Sequence, residues 1–371
     1  TCKQSSIMLN YEVKNSLAVV GVHTCLSAVS GDRVDIGRLF ISCLLADGVA
    51  VFWIIMGFFL FGRSDYRKTV LHAVKGVLIP MAVLSDIIFY LGPWIMDGEA
   101  LKDSVSHSAD EYSGVLRKLL SWSNPVEGMG HLWYLYVYML VILIFPVLKS
   151  FVSYLEESTE RQKVFFLISG ALLILNDISD NCFGSFSHYS INALFPASIE
   201  VIWGHFIYKY RKRFSNWKWI PVSIAAFLGI NLIRTFIHLD RYQNSDTNSC
   251  VLYWYSFIGV LCALCIIAFC FSSVKQRDSL PNRVICFVAS HTFMIYLIHP
   301  VIRNILRRHQ VEDRLYKMVF NWNASFLAEI LYTLLIIVIV FGVSFLVCVF
   351  LRIIQKMLRK VYICLGQKRY S

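Results

Sequence analysis

Charge is scarce in this chain. Asp, Glu, Lys and Arg together make up 16% of its 371 residues, against about 25% in a soluble globular protein. No CxxC or Cys/His spacing among its 11 cysteines suggests zinc, so no metal site is expected. No internal repeat, low-complexity tract or change of composition marks a second domain. The first residues lack the basic stretch, short apolar core and small-residue cleavage site of a secretory leader, and no removable signal peptide is expected. Apolar residues stand where charge is missing. They make up 57% of the chain, and the mean hydropathy is +0.59. They gather in runs of roughly 17–25, the length of helix that crosses about 30 Å of hydrocarbon. This distribution excludes a soluble enzyme, a nucleic-acid-binding domain and a secreted disulfide scaffold.

Ten candidate spans follow, at 13–30, 39–62, 70–92, 132–152, 164–180, 190–208, 219–238, 251–273, 284–306 and 326–351. An even number puts both termini on one side. A cytoplasmic N terminus places twice as many Lys and Arg on the inner segments as on the outer ones, the asymmetry expected of cytoplasmic loops. The outer stretch from Arg303 to Lys317 runs against this trend. The net charge of +11 is then a property of inner loops, and no nucleic-acid partner is expected. The predicted architecture is all-α: a polytopic helical bundle of about ten transmembrane helices with both termini cytoplasmic. Residues 1–351 would form the membrane domain. Residues 352–371 would form a basic tail, lying as a helix on the inner surface through Arg352, Lys356, Arg359 and Lys360. The one long outer loop runs from about Pro93 to His131. Cys182 and Cys250 both fall in outer loops, where a disulfide between them is open.

Ionisable residues inside a span are costly and usually face the bundle interior. Here they are His23, Asp47, Asp86, Glu200, Arg234, His299 and, near a span end, Glu329. His23, Asp86, Arg234 and His299 all come late in spans that run outward. Four helices thus deliver polar groups to one depth, which predicts a polar cavity opening to the outside. Each residue also has a structural reading. The histidines would bond a neighbouring helix, Asp47 and Glu200 would be paired or neutral, and Arg234 would snorkel to the outer headgroups. The common depth does not choose between an enzyme and a transporter.

Local motifs do bear on that choice. Leu17-Ala-Val-Val-Gly-Val-His-Thr24 carries a His late in the first span. Val49-Ala-Val-Phe-Trp-Ile-Ile-Met-Gly-Phe-Phe-Leu-Phe61 is followed by His72-Ala-Val-Lys-Gly-Val-Leu-Ile-Pro80, then by His131-Leu-Trp-Tyr-Leu135 with Pro146. Ser290-His-Thr-Phe-Met-Ile-Tyr-Leu-Ile-His-Pro300 is the most specific segment. In this order and over nearly the whole chain, these segments resemble membrane acyltransferase family 3, the polytopic O-acyltransferases of bacterial glycans. The size is similar to that of stand-alone members such as the enterobacterial common antigen O-acetyltransferase. Some positions depart from the family pattern. Glu12 stands where the family has Arg, His72-x-x-Lys75 stands for Arg-x-x-Arg, and Met56 and Ala50 replace a serine and a proline.

The resemblance implies a multi-pass protein of the bacterial cytoplasmic membrane, surrounded by membrane lipids. It would move an acetyl group from acetyl-CoA, its co-substrate, to a hydroxyl of a lipid-linked or cell-surface glycan. His23 would act as general base, or alternatively as a transient acyl carrier, because imidazole titrates near neutral pH. Asp47 or Asp86 would orient its ring, and the sequence does not choose between them. His299 would be a second polar partner, on a helix expected to end or kink at Pro300. Arg63, Arg67, Lys68, His72 and Lys75 would meet the CoA phosphates at the inner face, although a positive-inside loop accounts equally for Arg63 and Arg67. Trp133, Tyr134 and Tyr138 would stack on sugar, or form an interface belt. Arg234 and Glu329 would contact substrate.

Two rivals remain open at this stage. A secondary transporter or flippase would show broken helices and an inverted repeat, and Gly48, Gly57 and Pro196 interrupt spans. An inactive relative serving as sensor or scaffold is the other. Homo-oligomerisation is also left open.

Overall fold

Where water is absent, every backbone amide must find its partner within the chain, and helices meet that demand most locally. The computed structural model describes residues 16–24, 29–30, 33–104, 130–182, 190–214, 216–244, 257–273, 280–320 and 325–367. Its regular structure is helical apart from one antiparallel pairing of Val29–Ser30 with Arg33–Val34. The helices are α1 (16–24), α2 (Ile36–Leu45), α3 (Gly48–Leu60), α4 (Tyr66–Ala73), α5 (Ile79–Gly92), α6 (Trp133–Leu143), α7 (Phe145–Glu156), α8 (Thr159–Cys182), α9 (Ser190–Lys209), α10 (Trp219–Asn244), α11 (Phe257–Ser273), α12 (Leu280–Ala289), α13 (Thr292–Arg308), α14 (Val311–Phe320) and α15 (Phe326–Gln367). They belong to two compact units. One comprises Thr1–Thr24 with Gln276–Ser371, and the other Cys25–Lys275.

Among the described residues, four segments are long and apolar enough to cross a membrane: Ile36–Leu60, Tyr66–Met96, Trp219–Asp240 and Phe326–Met357. The number rises to six if α6 with α7, and α12 with α13, each form one bent span. Most of the expected outer loop, from 105 to 129, lies outside the described residues, as do Cys250 and the side chain of Cys182. The last helix runs through Leu351 to Gln367 without a backbone break at the start of the basic segment.

Prolines mark where the expected spans change course. Pro80 has no N–H for the carbonyl four residues back. Just before it, Val74–Leu78 widens into a π turn, in which Ile79 N–H reaches back five residues to Val74. Pro146 sits in the first turn of α7, and α6 and α7 meet there at 64°. Residues 132–152, read as one span, are therefore two helices.

Pro300 behaves otherwise, and this corrects the expectation of a break. α13 continues from Thr292 to Arg308 through it, and the 61° bend of this pair falls earlier, at Ser290–His291. The carbonyl that Pro300 cannot serve belongs to Tyr296, and His299 Nδ1 lies 2.8 Å from it. The freed acceptor is satisfied in place, so the helix need not open.

Gly57 and Pro196 do not interrupt helices either. Both lie within continuous ones, α3 and α9. Gly57 is there for close packing. A Cβ built on it would stand 2.0 Å from the Val201 carbonyl oxygen, and one on Gly204 would stand 2.1 Å from that of Ile54. Each glycine thus admits the backbone of the facing helix, as small residues do in membrane helix pairs. Trp53, Val201 and Phe206 are buried in the same core.

Gly57→Ala and Gly204→Ala should each destabilise the protein by about 1–3 kcal/mol, the usual cost of overpacking. Gly229→Ala and Gly342→Ala, where an added Cβ meets nothing within 4 Å, should not. Thermal unfolding of the four variants in detergent checks this contrast.

Candidate active site

In the first unit, the His23 side chain is half-buried on α1 and that of His299 is buried on α13. Their ring centroids are 5.3 Å apart at 46°. The apolar stripe of α13 seats the second ring: Ile295, Tyr296, Ile298 and Ile302 are buried alongside it. One turn beyond His299, Arg303 donates from Nη1 to the backbone carbonyl of His23. Its Nε also approaches Glu312 Oε1 of α14 at 3.4 Å, in a partly buried ion pair. The guanidinium acts electrostatically on both imidazoles. Glu329 is buried in the first turn of α15.

His299 Nδ1 faces two backbone carbonyls, Tyr296 at 2.8 Å and Ile295 at 3.2 Å. At the other end of the same motif, His291 Nδ1 lies 2.8 Å from the Phe287 carbonyl. Arg352, on α15, donates to Ser290 Oγ at 2.8 Å and reaches His291 Nε2 at 3.3 Å. A carbonyl only accepts and a guanidinium only donates, so His291 carries its hydrogen on Nδ1. The Ser290–Pro300 segment is thus tied at both ends by imidazole Nδ1 to backbone carbonyls.

In the second unit, Asp47 lies at the junction of α2 and α3, and Arg234 lies on α10. Both are buried, 4% and 2% exposed. Arg234 Nη1 and Nη2 donate to the two oxygens of Asp47, each at 3.0 Å. Nη1 also donates to the Cys43 carbonyl at 3.2 Å and to Asn231 Oδ1 at 3.3 Å. This is a bidentate buried pair, and Arg234 does not snorkel. Asp86 lies exposed on α5.

The basic residues near α4 form a cleft of about 420 Å³ lined by Gly62, Arg63, Ser64, Asp65, Lys68, Thr69 and His72. Asp65 caps α4, accepting from Lys68 N–H at 3.0 Å, and its carboxylate pairs with Lys68 Nζ at 3.2 Å. A second cleft of about 380 Å³ shares Ser64 and adds Tyr66, Phe145, Pro146, Lys149, Ser150 and Ser153. Lys149 Nζ donates to the Arg63 carbonyl at 2.7 Å, and Tyr66 OH donates to that of Leu143 at 3.0 Å. Arg67 and Lys75 are exposed and line neither cleft. Tyr134 packs on Trp53, with centroids 4.4 Å apart, and lies 5.7 Å from Phe52. Trp133 meets it edge-on at 6.3 Å. Glu200, fully buried on α9, interacts electrostatically with Tyr134.

The pattern of an acyltransferase domain matches residues 16–351. The chain belongs to the acyltransferase 3 family. It is accordingly a multi-pass membrane acyltransferase. No curated protein and no solved structure matches the chain.

Of the residues singled out from sequence, the structure brings together His23 with His299, Asp47 with Arg234, and Arg63 with Lys68 and His72. Sequence reasoning missed Arg303, Glu312 and Lys149 as members of these groups. The spacing of Arg303, one helical turn after His299, was the available signal for the first.

Breaking the buried Asp47–Arg234 pair from one side, by Asp47→Asn or Arg234→Met, should cost the acyltransferase roughly 3–5 kcal/mol of stability, because an uncompensated polar partner stays buried. The joint replacement Asp47→Leu with Arg234→Met should recover most of that loss. Denaturant unfolding of the three variants reads the difference.

Proposed function

We propose that this acyltransferase transfers an acetyl group from cytoplasmic acetyl-CoA to a hydroxyl of a lipid-linked or cell-surface polysaccharide, as a stand-alone glycan O-acetyltransferase of the bacterial cytoplasmic membrane. In this reading about ten spans cross the bilayer with both termini inside, supported by the Lys and Arg excess on the corresponding segments. The observation that carries the chemistry is the pairing of the His23 and His299 rings, 5.3 Å apart, on residues that the acyltransferase match covers.

His23 acts as general base. It takes the proton of the acceptor hydroxyl as that oxygen attacks the thioester carbon; the C–S bond then breaks, and the CoA thiolate leaves with the proton. A thioester is activated enough for one base with a few donors to the developing oxyanion. The donor's phosphates suit the clefts around Ser64, where Arg63, Lys68 and His72 supply cationic or donor groups and Lys149 extends them. Arg67 and Lys75 add positive charge nearby. Asp47 has both oxygens on Arg234, so the pair serves the framework in this reading. Asp86 remains a carboxylate candidate at the acceptor side. Glu329 and Trp133 are assigned to acceptor contacts, and Tyr134 to holding Trp133 in place.

Purified protein in nanodiscs is assayed for acetyl-CoA hydrolysis and for transfer to glycan acceptors. His23→Ala should lower turnover by about 10²–10⁴, the usual contribution of a positioned base. Lys68→Gln and Arg63→Gln should raise the half-saturating acetyl-CoA concentration about tenfold, equivalent to ~1.4 kcal/mol, with turnover at saturation little changed. Full activity in folded His23→Ala would remove the base assignment. An unchanged half-saturation in both cleft variants would remove the donor site.

A further inference from the structure

Proline deletes one donor from a helix, and in α13 a side chain replaces it. Pro300 lies inside Thr292–Arg308 and has no N–H for the Tyr296 carbonyl, four residues back. That oxygen is 2.8 Å from His299 Nδ1, which also lies 3.2 Å from the Ile295 carbonyl. Both neighbours can only accept, so Nδ1 carries the hydrogen. In a neutral imidazole the other nitrogen, Nε2, then holds the lone pair. His299 is 1% exposed, and its Nε2 is buried with it, so water does not scramble the assignment.

We infer that the His299–Pro300 step is a tautomer lock. Pro300 leaves the Tyr296 carbonyl to His299 Nδ1–H, and so commits His299 Nε2 to accepting a hydrogen bond beside His23. The tautomer follows from the hydrogen bonds alone, whereas its catalytic use rests on the reading of His23 as base.

That use concerns charge. When His23 takes the acceptor's proton it becomes an imidazolium in apolar surroundings, where an unsolvated cation is costly. Arg303, held on the His23 carbonyl, adds positive charge that Glu312 only partly offsets. A neutral acceptor is what such an imidazolium needs. With the ring centroids 5.3 Å apart, a turn of the His23 ring would bring an N–H to the facing edge of His299. His23 N–H then donates to His299 Nε2, and the positive charge spreads over both rings. No covalent step is added, and the proton still leaves from His23 with the thiolate. The opposite tautomer would place an N–H against the imidazolium and oppose its formation. Pro300 is thus a positioning residue, acting through His299.

The test uses full-length protein in nanodiscs with ¹⁵N-labelled histidine. The His299 ring signals are assigned by their loss in His299→Gln. In the wild type the Nδ1 signal should be that of a protonated nitrogen and Nε2 that of a bare one. Pro300→Ala supplies a backbone N–H for the Tyr296 carbonyl and favours the helix, so the fold should hold. In that variant, Nε2-protonated His299 should become populated. Turnover should fall about tenfold, while half-saturation by acetyl-CoA stays unchanged. A wild-type spectrum with the proton on Nε2, or an unaltered tautomer in Pro300→Ala, overturns the lock. An altered tautomer with wild-type turnover overturns its catalytic use. If the lock is observed but His23→Ala retains full transfer, the lock stands and the assignment of His23 as base falls.

Discussion

The constraint on which the rest of the structure depends is the satisfaction of backbone polar groups where no water can reach them. It makes the chain helical, and it makes each proline a local problem with a visible solution. At Pro80 the turn before it widens, and a carbonyl is reached from five residues on. At Pro146 the helix stops and restarts at a 64° angle. At Pro300 an imidazole donates in place of the missing amide, and the helix runs on. Only the third solution uses a side chain, and it is one that the proposed function places beside the base. In the proposed lock, the same local bond that repairs the helix also sets which histidine nitrogen keeps its lone pair.

Packing follows from a second consequence of apolar surroundings. Lipid competes with every apolar side chain, so helices adhere best where their backbones approach closely. Gly57 and Gly204 provide that approach between α3 and α9, each set against a carbonyl of the other helix. The helices so joined hold Trp53, which in turn packs on Tyr134. An aromatic residue singled out for sugar stacking thus has its ring against protein. The Asp47–Arg234 pair works similarly between α2, α3 and α10: two charges that neither lipid nor an apolar core would tolerate alone satisfy each other in a two-pronged contact.

Function enters through contrasts in polarity. The clefts around Ser64 gather cationic side chains at the ends of α3, α4 and α7, suited to a phosphorylated donor. The histidine pair has a different character: one ring is buried and the other half-buried, with one guanidinium held on a backbone carbonyl and a carboxylate partner. An acyl transfer from a thioester needs both kinds of environment. In the proposed reading, the first would hold the charged carrier and the second the base that takes the acceptor's proton.

Much of this was legible in the sequence, because composition and periodicity act locally. Apolar runs of spanning length called for membrane helices, and the His-Thr and His-Pro segments called for the acyltransferase family. His23, Asp47, Arg234 and His299 stood out because ionisable groups are rare among such neighbours. Their partners were not legible. Asp47 could have turned to a histidine or to an arginine, and 187 positions of chain separate it from Arg234. Arg303 looked like an outer-loop cation until its guanidinium was found on a carbonyl 280 positions earlier. The helix through Pro300 was misjudged for a related reason: proline's missing donor is written in the sequence, but a rotamer of the preceding residue replaces it. The sequence by itself determined that the chain is apolar and helical, which residues are chemically costly to bury, and the family to which it belongs. Only the tertiary structure decided which costly residue meets which, because a hydrogen bond is made at about 3 Å whatever the separation along the chain.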